Sequence, residues 1–152
     1  MTDARPTIAI REFRDGDGDA LRELWAAALF RLHGDDDAGL ARFAARNPGL
    51  FLVATSSSGT IVASAMGAWD GRRGWIYHVA TAVTHRRTGV ASLLIERIER
   101  QLRELGAVRV NVLIRDGNDR GRAFWTAAGY ELSGSRQYGK DLAPVRAERD
   151  DP

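Results

Sequence analysis

The chain contains no cysteine, which removes disulfides, thiolate nucleophiles and cysteine-ligated metals from consideration together. No apolar run reaches the roughly 18 residues that a membrane-spanning helix requires, so no membrane partner is expected. Met1 to Thr7 carries no apolar block behind its charges, so no secretory signal is expected and the cytoplasm is the default location. An excess of one charge sign is also missing. The formal net charge is +2, weak grounds for a nucleic-acid partner. Lysine is nearly absent: of 22 basic residues only Lys140 is a lysine, and the arginines form no single-sign block. Such a pattern fits a solvated mixed-charge surface. Neither a repeat nor a low-complexity linker divides the chain.

What is present is the material of one ordinary domain. The 152 residues are 44% apolar, enough for a single buried core. The expected organisation is a flexible N-terminus at 1–6, one domain at 7–142 and a frayed polar tail at 143–152. Ile8 and Ile10 alternate with smaller or polar residues and predict a strand to about Phe13. The run Asp15-Gly16-Asp17-Gly18-Asp19 breaks it and offers N-cap carboxylates. Leu21, Leu24, Trp25, Ala28 and Leu32 follow at helical spacing, and a shorter helix is expected from Asp35 to Arg46, ended by Asn47-Pro48-Gly49.

Two apolar runs, Leu50 to Ala54 and Thr60 to Met66, are joined by Ser56-Ser57-Ser58-Gly59, a hairpin signal. Asp70-Gly71 opens a turn, and Trp75 to Thr81 predicts a further strand. Val90 to Leu105 is the clearest helix, with Ala91, Leu94, Ile95, Ile98, Leu102 and Leu105 on one face and charged residues on the other. Gly106 stops it. A strand at Val108 to Ile114, a helix at Asp119 to Ala128 closed by Gly129, and one or two strands within Tyr130 to Leu142 complete an α/β order of βααβββαβαβ(β).

The segment between the Trp75 strand and the long helix carries the most chemistry. It reads Thr81-Ala82-Val83-Thr84-His85-Arg86-Arg87-Thr88-Gly89-Val90-Ala91. The first turn of a helix has backbone N–H groups without intrahelical partners, and the macrodipole puts partial positive charge there. Gly89 and Ala91 keep bulk away from those amides, and Arg86 and Arg87 add charge, so a diphosphate can approach. The bland alternative is a loop with solvated arginines. Neither a Walker loop nor a Gly-x-Gly-x-x-Gly fingerprint is present.

Arg86-x-x-Gly89-x-Ala91, after a strand and opening an amphipathic helix, resembles the Arg/Gln-x-x-Gly-x-Gly/Ala motif of the GNAT N-acetyltransferases. Val112-x-Ile114 followed by Asn118, Phe124-Trp125 and Gly129-Tyr130 is similar to the family's later strand, Asn and Tyr-x-x-x-Gly-Phe region. The run Met66-Gly67-Ala68-Trp69-Asp70-Gly71-Arg72-Arg73-Gly74 is similar to a segment of YpeA-type bacterial members. The likeness spans roughly residues 7 to 142.

The resemblance implies a mixed central sheet with helices on both faces, and acetyl-CoA as co-substrate lying where two central strands splay. The diphosphate would rest on the amides of Arg86, Arg87, Thr88, Gly89, Val90 and Ala91, with Ser92 close by. The pantetheine arm would pair with Val79 and Thr81, and the Val79 N–H would polarise the thioester carbonyl. Asn118 matches a family residue beside the cofactor arm and also reads as a helix N-cap. No metal is implied. The reaction implied is attack of a primary amine, on a small molecule, a peptide N-terminus or a lysine, with loss of its proton and protonation of the leaving thiolate. The resemblance leaves a homodimer open.

Two positions depart from the family pattern. Trp125 stands where a tyrosine often protonates the thiolate, and an indole N–H can donate a hydrogen bond but is too weak an acid. Trp75 stands where many members carry a catalytic glutamate. Alternation predicts Trp75, Tyr77 and Val79 on one strand face and Ile76, His78 and Ala80 on the other. Tyr77, His78 and a water chain ending on Asp70 or Glu12 all remain candidates for the base. Trp69, Trp75 and Phe51, with Trp25 and His33, lie in elements that shape the family's acceptor pocket, where aromatics suit an amine; each also reads as plain core. The triplet Asp35-Asp36-Asp37 could attract a cation or cap its helix. The competing function is an acyl-CoA-binding module that has lost its chemistry at Trp75 and Trp125.

Overall fold

A computed structural model of the chain describes residues 6–28 and 34–143. Leu32, His33 and both expected tails, apart from Pro6 and Ala143, lie outside those residues. The strands are β1 (Ala9–Glu12), β2 (Phe51–Thr55), β3 (Ile61–Trp69), β4 (Gly74–Thr81) and β5 (Val110–Val112). The helices are α1 (Gly18–Ala27), α2 (Asp37–Arg46), α3 (Val90–Leu105) and α4 (Asp119–Ala127). The chain divides into two compact units between Arg115 and Asp116. The first holds all five strands with α1, α2 and α3; the second holds α4.

The five strands pair in chain order. The steps β1–β2, β2–β3 and β3–β4 are antiparallel, and β4–β5 is parallel through α3, which makes the sheet mixed. Every residue of β2, and most of β3, is buried, as expected of strands covered on both faces.

The two coverings can be told apart by register. Phe51, Val53, Met66 and Ala80 pack with Leu21 and Trp25 of α1 and Leu40 of α2. On the other face, a Cβ on Gly67 would lie 2.7 Å from Ile98 Cγ2, and one on Gly74 would lie 2.5 Å from Leu102 Cδ1. Glycine at these two positions lets α3 lie close against the sheet, where a side chain would force overpacking worth about 1–3 kcal/mol. Val90, Leu94, Ile95, Ile98 and Leu102 form the buried stripe of α3. The helix ends in a Schellman motif: Gly106 sits at φ 103, its N–H donates to Arg103 O, and the Ala107 N–H donates to Leu102 O.

The expected strands within Tyr130 to Leu142 do not form. Leu132, Tyr138 and Leu142 are almost fully exposed, so this stretch has no apolar face to bury. The Ser135 N–H bonds to Ser133 Oγ, a local turn that competes with a ladder. The Val108–Ile114 strand shrinks to Val110–Val112.

Candidate active site

The centre of the site is an irregularity in β4. Ala63 pairs with Thr81 and Ser64 with Ala80, but Met66 pairs with Tyr77. Two residues, His78 and Val79, therefore oppose Ala65 alone, which is a β-bulge. His78 adopts φ 49, a left-handed conformation uncommon for a residue with a side chain. The extra residue resets the alternation, and the expected division of faces fails. Tyr77 and Ala80 both pack toward Trp25, and the His78 ring meets Trp25 edge-on at 4.6 Å between centroids. Tyr77, His78 and Ala80 thus share the α1/α2 face.

A buried chain of hydrogen bonds holds the bulge. Trp25 Nε1–H donates to Ser64 Oγ at 2.9 Å, and the Ser64 hydroxyl donates to the His78 carbonyl at 2.8 Å. His78 Nε2 lies 2.7 Å from Asp35 Oδ2. Among the described residues every peptide bond is trans. In a planar trans peptide N–H and C=O point oppositely, so the Val79 N–H is directed away from Ser64. The acidic triplet divides its work: Asp35 is buried against His78, Asp36 caps α2 through the Gly39 N–H, and Asp37 pairs with Arg22 at 2.9 Å.

Aromatic rings continue this face. Trp75 and Tyr77 lie nearly parallel, 6.4 Å apart, and Tyr77 meets Phe43 edge-on. Burial, and then the field of the Asp70 carboxylate, push the Tyr77 phenol above its ordinary range. Asp70 itself is held below the usual carboxylate range, first by the Arg73 and Arg72 backbone N–H groups, with the Trp75 side chain also contributing.

Of the other two expected acceptor residues, Phe51 is on this face but in its core, and Trp69 is on the opposite face. Phe51 is 2% exposed, stacked on Phe13 at 4.5 Å and edge-on to Phe43. It belongs to the core and reaches the surface only at the floor of a shallow depression of about 250 Å³ beside Glu12 and Asn47. Trp69 pairs with Gly74 and sits two residues from Gly67, so the pleat puts it on the α3 face, opposite Trp75 and Tyr77.

At the other end of β4 the sheet opens. Pairing with β5 runs from Gly74↔Val110 to Ile76↔Val112, while β4 continues to Thr81. A 3-10 turn, Val83–His85, follows, and the Arg86 N–H closes back on Val83 O. That amide is spent locally, as is the Thr88 hydroxyl, which donates to His85 O at 2.6 Å. Arg87 is left-handed at φ 61. Gly89, at φ 81, is the N-cap of α3 and supplies no side-chain cap, whereas Asp36 and Asn118 cap α2 and α4. The first intrahelical bond is from Leu93 to Gly89 O, which leaves the amides of Val90, Ala91 and Ser92 without intrahelical partners. A Cβ on Gly89 would meet nothing within 4 Å. Val90 is buried, Ala91 is half-buried and Ser92 is exposed.

A strand that outruns its parallel neighbour and feeds an uncapped helix N-terminus is an anion-binding frame. Residues 17–130 match the acetyltransferase (GNAT) family. The chain belongs to the GNAT acetyltransferases. It is an acyltransferase of bacterial GNAT type. An acetyltransferase from Yersinia pestis is 34% identical over 136 residues, 89% of this chain and 96% of that protein. The fold is shared with Ard1 from Thermoplasma volcanium, at TM-score 0.74 and 24% identity over 83% of this chain and 84% of that one. It is shared as well with the PaiA N-acetyltransferase of Thermoplasma acidophilum, solved in complex with coenzyme A, at TM-score 0.73 and 15% identity over 86% and 93%.

In this GNAT chain Asn118 and Trp125 belong to the second unit. Asn118 caps α4, its side chain accepting from the Gly121 N–H at 2.9 Å. Trp125 is buried, edge-on to Phe124 and Tyr130. Among the described residues no group of three or more His, Asp or Glu could hold a metal ion, and no helix is long and apolar enough to cross a membrane. Sequence reasoning missed Ser64 and the pairing of Asp35 with His78. The only signal for Ser64 was a lone hydroxyl inside an apolar strand, and residues 43 apart leave no periodic trace of pairing.

Proposed function

We propose that this GNAT chain moves an acetyl group from acetyl-CoA to a primary amine carried by a small molecule, a peptide N-terminus or a lysine. The observation that carries the reading is the N-terminus of α3. A glycine N-cap leaves the amides of Val90, Ala91 and Ser92 clear of any capping side chain, open space lies over Gly89, and Arg86 and Arg87 precede it. That donor set fits a diphosphate, with the arginines supplying charge and the glycine supplying clearance. Val79 and Thr81, beyond the last β4–β5 pair, would hold the pantetheine amides by strand-like hydrogen bonds.

Bound acetyl-CoA supplies an acyl group activated as a thioester. The chain's own residues supply the remainder. The Val79 N–H, directed away from Ser64, polarises the carbonyl. Tyr77, kept as a phenol by burial, is a proton donor rather than a base at neutral pH. His78 is the base candidate on the same face, and Asp35 fixes the orientation of its ring. Trp75 and Tyr77 present aromatic surface suited to an amine through cation–π contact.

Thiol release from acetyl-CoA, measured across amines, peptides and lysine-bearing peptides with the acetylated product identified by mass, tests the reading. Turnover with at least one amine class is expected. Cofactor binding with no turnover on any of them would instead make the chain an acyl-CoA-binding module.

A further inference from the structure

Four residues that are far apart in sequence meet at the bulge. Ser64 lies in the middle of β3 and is wholly buried. Its hydroxyl has one proton to give, and that proton goes to the His78 carbonyl. The indole N–H of Trp25 occupies the oxygen's acceptor side, so α1 determines which way the hydroxyl points. Asp35, from the segment just before α2, fixes the His78 side chain. The left-handed His78 backbone is costly without support, by about 1–2 kcal/mol, and such strain persists only where the surroundings over-determine it.

We infer that Ser64 is a positioning residue for acetyl transfer: through the His78 carbonyl, and aligned by Trp25, it sets the direction of the Val79 N–H. The inference rests on the proposed role of that N–H at the thioester carbonyl. The carbonyl of His78 and the N–H of Val79 belong to one rigid peptide plane, so a donor that anchors the oxygen on the α1 face aims the hydrogen away from it. Ser64 touches no reacting atom, and its effect is transmitted entirely by that plane. A preorganised donor matters because removing or misaiming one such group costs catalysis without weakening ground-state binding.

Ser64→Ala removes the hydroxyl that bridges the Trp25 N–H and the His78 carbonyl. Its kcat for acetyl transfer is expected to fall about tenfold or more, while KM for acetyl-CoA stays within about twofold because the phosphate loop is untouched. A second readout needs no acceptor. In amide NMR spectra acetyl-CoA is expected to shift Val79, Thr81 and Val90 to Ser92 in the wild-type chain, and in Ser64→Ala to shift Thr81 and Val90 to Ser92 but not Val79. Should that variant fail to fold, Ser64→Cys keeps a similar shape with a weaker donor and is expected to show the same loss at smaller size. Wild-type kcat in a folded Ser64 variant, with the Val79 amide still shifting, overturns the positioning role alone. A wild-type chain whose Val79 amide ignores acetyl-CoA overturns both that role and the reading beneath it. A wild-type chain whose Val79 amide responds but which acetylates nothing overturns the transfer reading and with it the catalytic role of Ser64, while loss of the Val79 response in Ser64→Ala still supports the alignment of that amide.

Discussion

Ile76 and Val112 form the last pair of the β4–β5 ladder, and β4 then runs five residues further, from Tyr77 to Thr81. A strand continued past its neighbour offers backbone groups to an extended ligand carrying amides of its own. Coenzyme A has such an arm and ADP does not. ADP keeps the diphosphate contacts, so it is expected to bind about tenfold or more weakly than coenzyme A, since a few net hydrogen bonds at about 1 kcal/mol each are lost. Titration calorimetry of both ligands checks this, and equal affinities would mean that the fork makes no contribution.

Gly89 and Gly106 bracket α3, both with positive φ and both with open space where a Cβ would stand. Gly89→Val and Gly106→Val should therefore carry comparable backbone strain, about 1–2 kcal/mol or somewhat more for a β-branched residue. Only Gly89→Val is expected to weaken acetyl-CoA binding, by about tenfold or more, because only its side chain would stand over the phosphate amides. Equal losses in the two variants, or none, would remove the phosphate-loop assignment.

Tyr77 is held above the ordinary phenol range by burial and by Asp70. A raised value favours the protonated form, so the stability it contributes is full below the usual tyrosine range of about 10 and is lost as pH rises through the raised value. At neutral pH the group is a donor. Tyr77→Phe is expected to lower kcat by about tenfold or more while leaving the acidic limb of the kcat/KM pH profile in place. Disappearance of that limb would show that Tyr77 is the base.

Asp17 stands at the N-cap position of α1, yet its carboxylate turns back to Arg11, at 2.7 and 3.0 Å, and to the Arg14 N–H. Burial would raise its pKa, but the Arg11 hydrogen bond and the Arg14 backbone N–H outweigh it, and the net shift is downward. A lowered carboxylate contributes stability above its unfolded value that is lost as pH falls through the folded one. Asp17→Asn should cost about 1 kcal/mol at pH 7, and the gap in Tm should close in acid below the usual carboxylate range. A gap that does not change with pH would contradict the ion pair's role.

The parts of this protein written in local periodicity were legible in its sequence. The stripe from Ala91 to Leu102 and the bounding Gly89 and Gly106 locate α3 to the residue, and the Ser56–Gly59 turn locates the β2–β3 hairpin. The β4 bulge was not legible, because no glycine or proline marks it: it depends on His78 taking a left-handed conformation that Ser64 and Asp35 support from 14 and 43 residues away. For the same reason alternation misassigned His78 and Ala80, which a single inserted residue moves to the Tyr77 face. Trp69 and Phe51 looked like pocket aromatics because aromatic content carries no information about strand face, which separates Trp69, or about depth of burial, which separates Phe51. Within Tyr130 to Leu142, Tyr130 meets an aromatic neighbour, Trp125, while Leu132, Tyr138 and Leu142 stay exposed, and the expected strands do not form.

The most direct measurement of the cofactor site is backbone amide hydrogen exchange with and without acetyl-CoA. Added protection is expected at Val79 and Thr81 and at Val90, Ala91 and Ser92, with little change in β1 or at Gly106. Protection confined to the depression beside Glu12 and Phe51, or no change along β4 and the start of α3, would contradict a cofactor site there.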